Sequence, residues 1–205
     1  MAVSVASTSR PDVDETDRAR RFTSDEYLRI AETGILDEGG RTELIDGHIL
    51  EMAPQNAPNR AAVGKTSKIF QNALANSNYW VQTQSTLPLD CRNVPEPDVA
   101  VLEGTPDDLL EGEPDEIPII VEVADTSLEK DRTTKLRCYA TNGIPEYWII
   151  NLQNETIEMY REPADGEYRR RETMTRGGSV TPLFDDSLSF GVDALLPQHP
   201  SDEDE

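Results

Sequence analysis

Only two cysteines, Cys91 and Cys138, occur in the chain, and neither stands in a Cys-x-x-Cys pair or beside a histidine. That spacing argues against a zinc site. It also makes two unrelated thiols the expectation, rather than a disulfide. Long apolar runs are missing too. The longest, 117–123, is interrupted by Pro118 and Glu122, well short of the ~20 residues that a membrane-spanning helix needs. Residues 1–21 lack the apolar stretch of a secretory signal. A soluble, cytoplasmic protein without a membrane partner is therefore expected. Lysine is scarce: Lys65, Lys68, Lys130 and Lys135 are the whole set, and the other basic residues are arginines. No helix-turn-helix, zinc-finger pattern, aromatic stacking motif or basic stripe is visible. No sequence-reading module is expected, and nothing chooses between DNA and RNA.

What is abundant is acid. Aspartate and glutamate number 40 against 19 lysines and arginines, a formal net charge of -21. Such a surface repels a phosphate backbone, which argues against casual nucleic-acid binding. A local basic patch could coexist with the acidic remainder, with Arg132, Arg137, Arg161 and Arg169 to Arg171 as candidates. Alternatively, high acid with little lysine is the composition expected of adaptation to a salty cytoplasm. The length, 205 residues, and a 36% hydrophobic content suit one domain. Residues 1–21 and 197–205 read as disordered tails, the second of them acidic, flanking a single folded domain over 22–196.

Within that domain, Thr23-Ser-Asp-Glu26 forms a capping-box pattern ahead of a short helix that Gly34 would end. Asp46-Gly47 predicts a hairpin between two short strands in 42–52. Pro58 opens a helix with Ala62, Ile69, Phe70, Ala73 and Leu74 on its apolar side. Strands are expected at Tyr79 to Gln82, Thr86 to Leu89, Asp98 to Leu102, Ile117 to Ala124 and Tyr147 to Asn151. A helix is expected over Asp131 to Thr141, and a solvent-facing hairpin over 155–173 around Asp165-Gly166.

Asp98 and Glu122 are out of place in this pattern. Each lies at or within an apolar strand segment, Pro-Asp-Val-Ala-Val-Leu and Ile-Ile-Val-Glu-Val-Ala. A buried carboxylate is unfavourable unless it is paired or bound to a cation. Two on neighbouring strands would repel, and a divalent metal would relieve that repulsion. Oxygen-only ligation suits Mg2+ or Mn2+, and the Val123 carbonyl could add a further oxygen. The plainer alternative has Asp98 at the exposed start of a strand and Glu122 paired with an arginine.

The segment Val121 to Trp148, VEVADTSLEKDRTTKLRCYATNGIPEYW, resembles the Uma2 (DUF820) family. It holds in order an acid in a strand, a Ser/Thr-rich turn, Asp, Lys, Tyr-Ala and Gly-Ile-Pro-Glu-Tyr-Trp. Upstream, Glu43-Leu-Ile-Asp-Gly, Met52-Ala-Pro54 and Pro95-Glu-Pro-Asp98-Val are similar to further motifs of that family. The resemblance implies a PD-(D/E)XK nuclease domain with a restriction-endonuclease-like α/β/α sandwich around a central mixed β-sheet. It implies a metal-dependent endonuclease acting on phosphodiester bonds of DNA, with Mg2+ or Mn2+ on Asp98, Glu122 and the Val123 carbonyl. Glu43 would complete or orient the site, and Lys135, displaced onto the following helix from its usual place two residues after Glu122, would support the transition state. Asp131 is expected to cap that helix. Tyr139, four residues after Lys135, faces the same side and either touches the site or packs. Nucleases of this fold often dimerise, and the 155–173 hairpin could serve as the interface of a homodimer. The resemblance also departs in one place: Asn59, followed by Arg60, stands where the family commonly has histidine. With the acidic surface, this supports the alternative of a catalytically weak or inactive nuclease-fold protein acting as a binding or scaffold module.

Overall fold

A computed structural model of the chain describes residues 20–36, 40–114 and 116–198. The expected tails, 1–21 and 197–205, therefore lie outside the described residues except for Arg20, Arg21, Pro197 and Gln198. Thr23 caps α1 (Ser24–Ala31): its hydroxyl accepts from the Glu26 N–H, and the Glu26 carboxylate accepts from the Thr23 N–H, at 3.2 and 3.1 Å. Asp46 and Gly47, at φ of 49° and 74°, make the tight turn between β1 (Thr42–Ile45) and β2 (His48–Glu51).

The centre of the molecule is a six-stranded sheet. Its strands are β3 (Tyr79–Thr83), β4 (Val99–Glu103), β5 (Ile119–Ala124), β6 (Glu146–Asn151), β7 (Thr156–Ala164) and β8 (Glu167–Thr175), in that spatial order. Every neighbouring pair is antiparallel except β5 and β6, which run parallel. A parallel pair needs a long crossover. Here it is one helical segment: α3 (Leu128–Lys130), a wide π-type turn (Asp131–Lys135) and α4 (Leu136–Thr141).

Side chains alternate along each strand and so divide the core in two. Val99, Val101, Val121, Val123, Trp148 and Ile150 face α2 (Ala57–Ala73), meeting Ala62, Val63 and Phe70. Ala100, Leu102, Ile120, Tyr147 and Ile149 face the other way, onto Cys138 and Tyr139 of α4. The result is a helix–sheet–helix sandwich in which each large core side chain contributes roughly 1.5–3 kcal/mol. The two-residue strands β9 (Ser179–Val180) and β10 (Phe190–Gly191) and α5 (Val192–Leu195) close the α2 side. Both cysteines are free, Cys138 buried and Cys91 exposed. No helix among the described residues is long and apolar enough to cross a membrane.

Three expectations change. Residues 86–89 form no strand. The hairpin over 155–173 is not solvent-facing throughout: Ile157 to Tyr160 of β7 are buried, because β8 continues the sheet beyond them and moves the exposed edge outward. The arginines proposed as a basic patch are largely taken up by the chain's own carboxylates. Arg132 and Arg171 bind Glu158, Arg161 binds Glu146, Arg170 binds Glu172, and Arg137 lies 4.0 Å from Asp46.

Candidate active site

The register of β4 and β5 pairs Val99 with Val121, so its next step sets Asp98 opposite Glu122. The two acids are 6% and 3% exposed. Backbone ties them together: the Asp98 N–H donates to Glu122 Oε2 at 3.3 Å, and the Val123 N–H donates to Asp98 Oδ2 at 2.9 Å. Asp98 Oδ1 accepts from two side-chain amides, Gln55 Nε2 and Gln84 Nε2, each at 2.9 Å. Gln84 sits just past β3 at φ 48°, a backbone conformation unfavourable for a residue with a side chain. The surroundings hold it there, its N–H donating to the Pro97 and Asp98 carbonyls at 3.2 Å.

Lys135 arrives from the crossover helix. Its ammonium lies 2.7 Å from Glu122 Oε1 and 3.2 Å from Glu43 Oε2, and the residue is 3% exposed. Lys130 approaches the other oxygen of Glu43 at 2.6 Å, an ion pair without an aligned hydrogen bond. On a regular α-helix residues five apart point about 140° away from each other. The wide turn removes that divergence: the Leu136 N–H reaches back five residues to the Asp131 carbonyl, and both lysines meet one carboxylate. Tyr139 does touch the site, its hydroxyl donating to Glu122 Oε1 at 2.6 Å. Asp131 does not cap the helix, which begins three residues earlier. It lies inside the wide turn, accepting from the Ser127 hydroxyl at 2.6 Å.

Glu43, Asp98, Glu122 and Asp131 place four buried carboxylates against the ammonium groups of Lys130 and Lys135. Burial and the neighbouring charges move Glu122, Asp131 and Glu43 in different directions. Burial pushes Glu122 up to about 8, Lys135 pulling it back and Asp98 and Asp131 pushing it further. Burial also raises Asp131, to about 6. Burial would lower Lys135, but Glu122 and Glu43 outweigh it and hold the ammonium charged. Burial would raise Glu43, and Lys135 and Lys130 bring it below the usual range instead. With all four acids ionised, the cluster lacks two positive charges, the charge of one divalent cation. Its free lone pairs are all oxygen, which suits a hard ion. Among the described residues no three His, Cys, Asp or Glu side chains are grouped to hold a metal unaided. A cation on Asp98 and Glu122 would need backbone carbonyl and water as its other ligands.

Asp98, Glu122, Lys130, Asp131 and Lys135 line a cleft of about 290 Å3 whose rim is the segment between β2 and α2. The strands and Glu43 were visible in the sequence pattern and its resemblance. Gln55, Gln84, Lys130 and Asn59 were not recognised as site residues. Amides in loops carry no periodic signal, and only Asn59 stood out, as a departure from the family pattern. In the fold Asn59 is on the first turn of α2, and its Nδ2 donates to the Val123 carbonyl at 2.6 Å.

Comparison with known proteins agrees with this architecture. A crystal structure from Anabaena variabilis, of a protein described as "a putative nuclease belonging to DUF820", superposes with a TM-score of 0.63. The two share 17% identity, and the match covers 85% of this chain and 97% of that one. At that identity the likeness is one of fold, the restriction-endonuclease-like α/β sandwich with a mixed central sheet. No curated protein matches. The family model of Uma2, described as "Putative restriction endonuclease", matches residues 24–193. Spanning almost the whole described domain, that match places the chain in the Uma2 family.

Proposed function

We propose that this protein is a divalent-cation-dependent endonuclease that hydrolyses phosphodiester bonds of DNA. One observation carries the proposal: a buried lysine is clamped between two buried carboxylates, Glu43 and Glu122, beside Asp98 in an open cleft. Asp98, Glu122 and the Val123 carbonyl are the groups that would hold Mg2+ or Mn2+. A cation there supplies an acidified water and a partner for phosphoryl oxygen. Lys135 sets a permanent positive charge where negative charge grows on the phosphorus oxygens. Glu43, itself held by Lys130, keeps that ammonium in place, and Tyr139 keeps Glu122 in place. The purified protein with Mg2+ or Mn2+ is expected to nick supercoiled plasmid, and Asp98→Ala to lose roughly 100-fold or more of the rate. Equal rates in the two proteins would discard the assignment.

A second reading has one observation in its favour. The arginines closest to a nucleic-acid patch are ion-paired within the chain, so the acidic surface is little offset. A binding or scaffold protein that keeps the fold without the activity predicts no divalent binding by calorimetry. Mg2+ or Mn2+ binding that disappears in Glu122→Ala decides against it.

A further inference from the structure

Asn59 is 8% exposed and sits in the wall of the cleft. Its amide nitrogen is accounted for by the Val123 carbonyl. Its oxygen, Oδ1, is buried and meets no donor among the described residues. The orientation is not free to reverse, because a flipped amide would bring two oxygens to 2.6 Å. A buried acceptor without a donor opposes folding. The single bond made by Nδ2 offsets only part of that. On stability alone, an apolar side chain of the same size would serve this position as well or better. A group retained against that balance, in a cleft and next to the carbonyl after Glu122, points to a ligand that donates a proton to it.

We propose that Asn59 is a positioning residue of the candidate site: it fixes the Val123 carbonyl through Nδ2 and accepts, through Oδ1, a hydrogen bond from the water that Asp98 and Glu122 bring into the cleft with a divalent cation. The proposal rests on the function proposed above and adds a residue to it. Asn59 does no proton transfer. An amide oxygen can only accept a hydrogen bond, so its part would be to orient a water.

The decisive comparison is Asn59→Leu, near in size and apolar, measured in three ways. Melting temperature is expected to stay within a degree or two of wild type or to rise. Mn2+ affinity, by calorimetry, is expected to fall about 10-fold, the effect typical of a residue that orients a ligand of the metal. The nicking rate at saturating DNA is expected to fall at least 10-fold with KM unchanged. Asn59→Asp is the reciprocal test: it keeps an acceptor at Oδ1 but sets a second oxygen against the Val123 carbonyl. Its melting temperature is expected to fall while Mn2+ binding is retained. If Asn59→Leu melts several degrees lower and binds Mn2+ and cuts DNA like wild type, Asn59 is a structural bracket and the inference is overturned. A wild-type protein that binds no Mn2+ overturns the function proposed above, and this inference with it. Wild-type binding matched by the Leu variant overturns this inference alone.

Discussion

Lys135→Met is expected to destabilise the metal-free protein by about 3–5 kcal/mol at neutral pH and to lower nicking by roughly 100- to 1000-fold. The ammonium is the shared partner of Glu43 and Glu122, which are 0% and 3% exposed. Glu43 keeps Lys130. Glu122 keeps only the Tyr139 hydroxyl and the Asp98 N–H, so without Lys135 a carboxyl that burial already raises to about 8 rises further. The sign of the pH dependence follows. A carboxyl whose folded value lies above its unfolded one favours the folded state increasingly as pH falls. The gap between wild type and Lys135→Met should therefore hold constant from pH 7 to pH 5 and widen as pH rises above 8. Adding Glu122→Gln to the variant should recover a large part of the loss at pH 7. Urea denaturation in EDTA measures each quantity. A single-variant loss below 1 kcal/mol, or a double variant no better than the single, would show that Lys135 is not the counter-charge of this cluster.

The second large effect lies away from the cleft. Glu158→Ala is expected to lower stability by about 3–5 kcal/mol, or on the order of 10 °C in melting temperature. Glu158 is 1% exposed in the middle of β7. Its Oε2 accepts from Arg132 Nε at 3.1 Å, Arg171 Nη2 at 2.9 Å and the Tyr160 hydroxyl at 2.7 Å. Its Oε1 accepts from Asn151 Nδ2 at 3.2 Å and from a second nitrogen of Arg132. Truncation leaves these donors facing an apolar methyl. Burial would raise this carboxyl, but the hydrogen bonds from Arg132, Tyr160 and Asn151 bring it below its usual value. Its contribution is thus complete above pH 4.5 and is lost only as pH falls through the lower folded value. The Glu158→Ala gap should hold constant from pH 9 to pH 5, an interval in which the Lys135→Met gap widens above pH 8. A gap that closes in that interval would contradict the network described here.

Much of this arrangement was legible in the residues. The apolar runs around Val99, Ile119 and Tyr147 gave three adjacent strands, and Asp98 and Glu122 declared themselves as acids in those runs. The Asp46-Gly47 turn needed no tertiary information, because both positive-φ positions suit their residues. What could not be read depends on partners distant in sequence. Glu158 makes β7 look half polar, and only Arg132 and Arg171, 26 and 13 residues away, turn it into a buried strand. Asp131 looks like a cap by composition, but the helix begins three residues before it, at Leu128, and Ser127 and the wide turn make Asp131 an interior residue. Gln55 and Gln84 reach Asp98 from loops on opposite sides, separated from it by 43 and 14 residues. No local pattern announces that convergence.

The wide turn at Asp131–Lys135 has a consequence for how such a chain can change by descent. A regular helix from Leu128 to Thr141 would use one residue fewer to cover the same turn. Loss of a single codon among 131–134 would thus give an uninterrupted helix with ordinary hydrogen bonding. The flanking stretches would stay where they are, and Lys130 and Lys135 would stand four apart on one face, both still within reach of Glu43. Such a deletion would spare both the scaffold and the lysine pair on Glu43, so the wide turn is a place where a lineage could shorten the chain by one residue and keep the architecture.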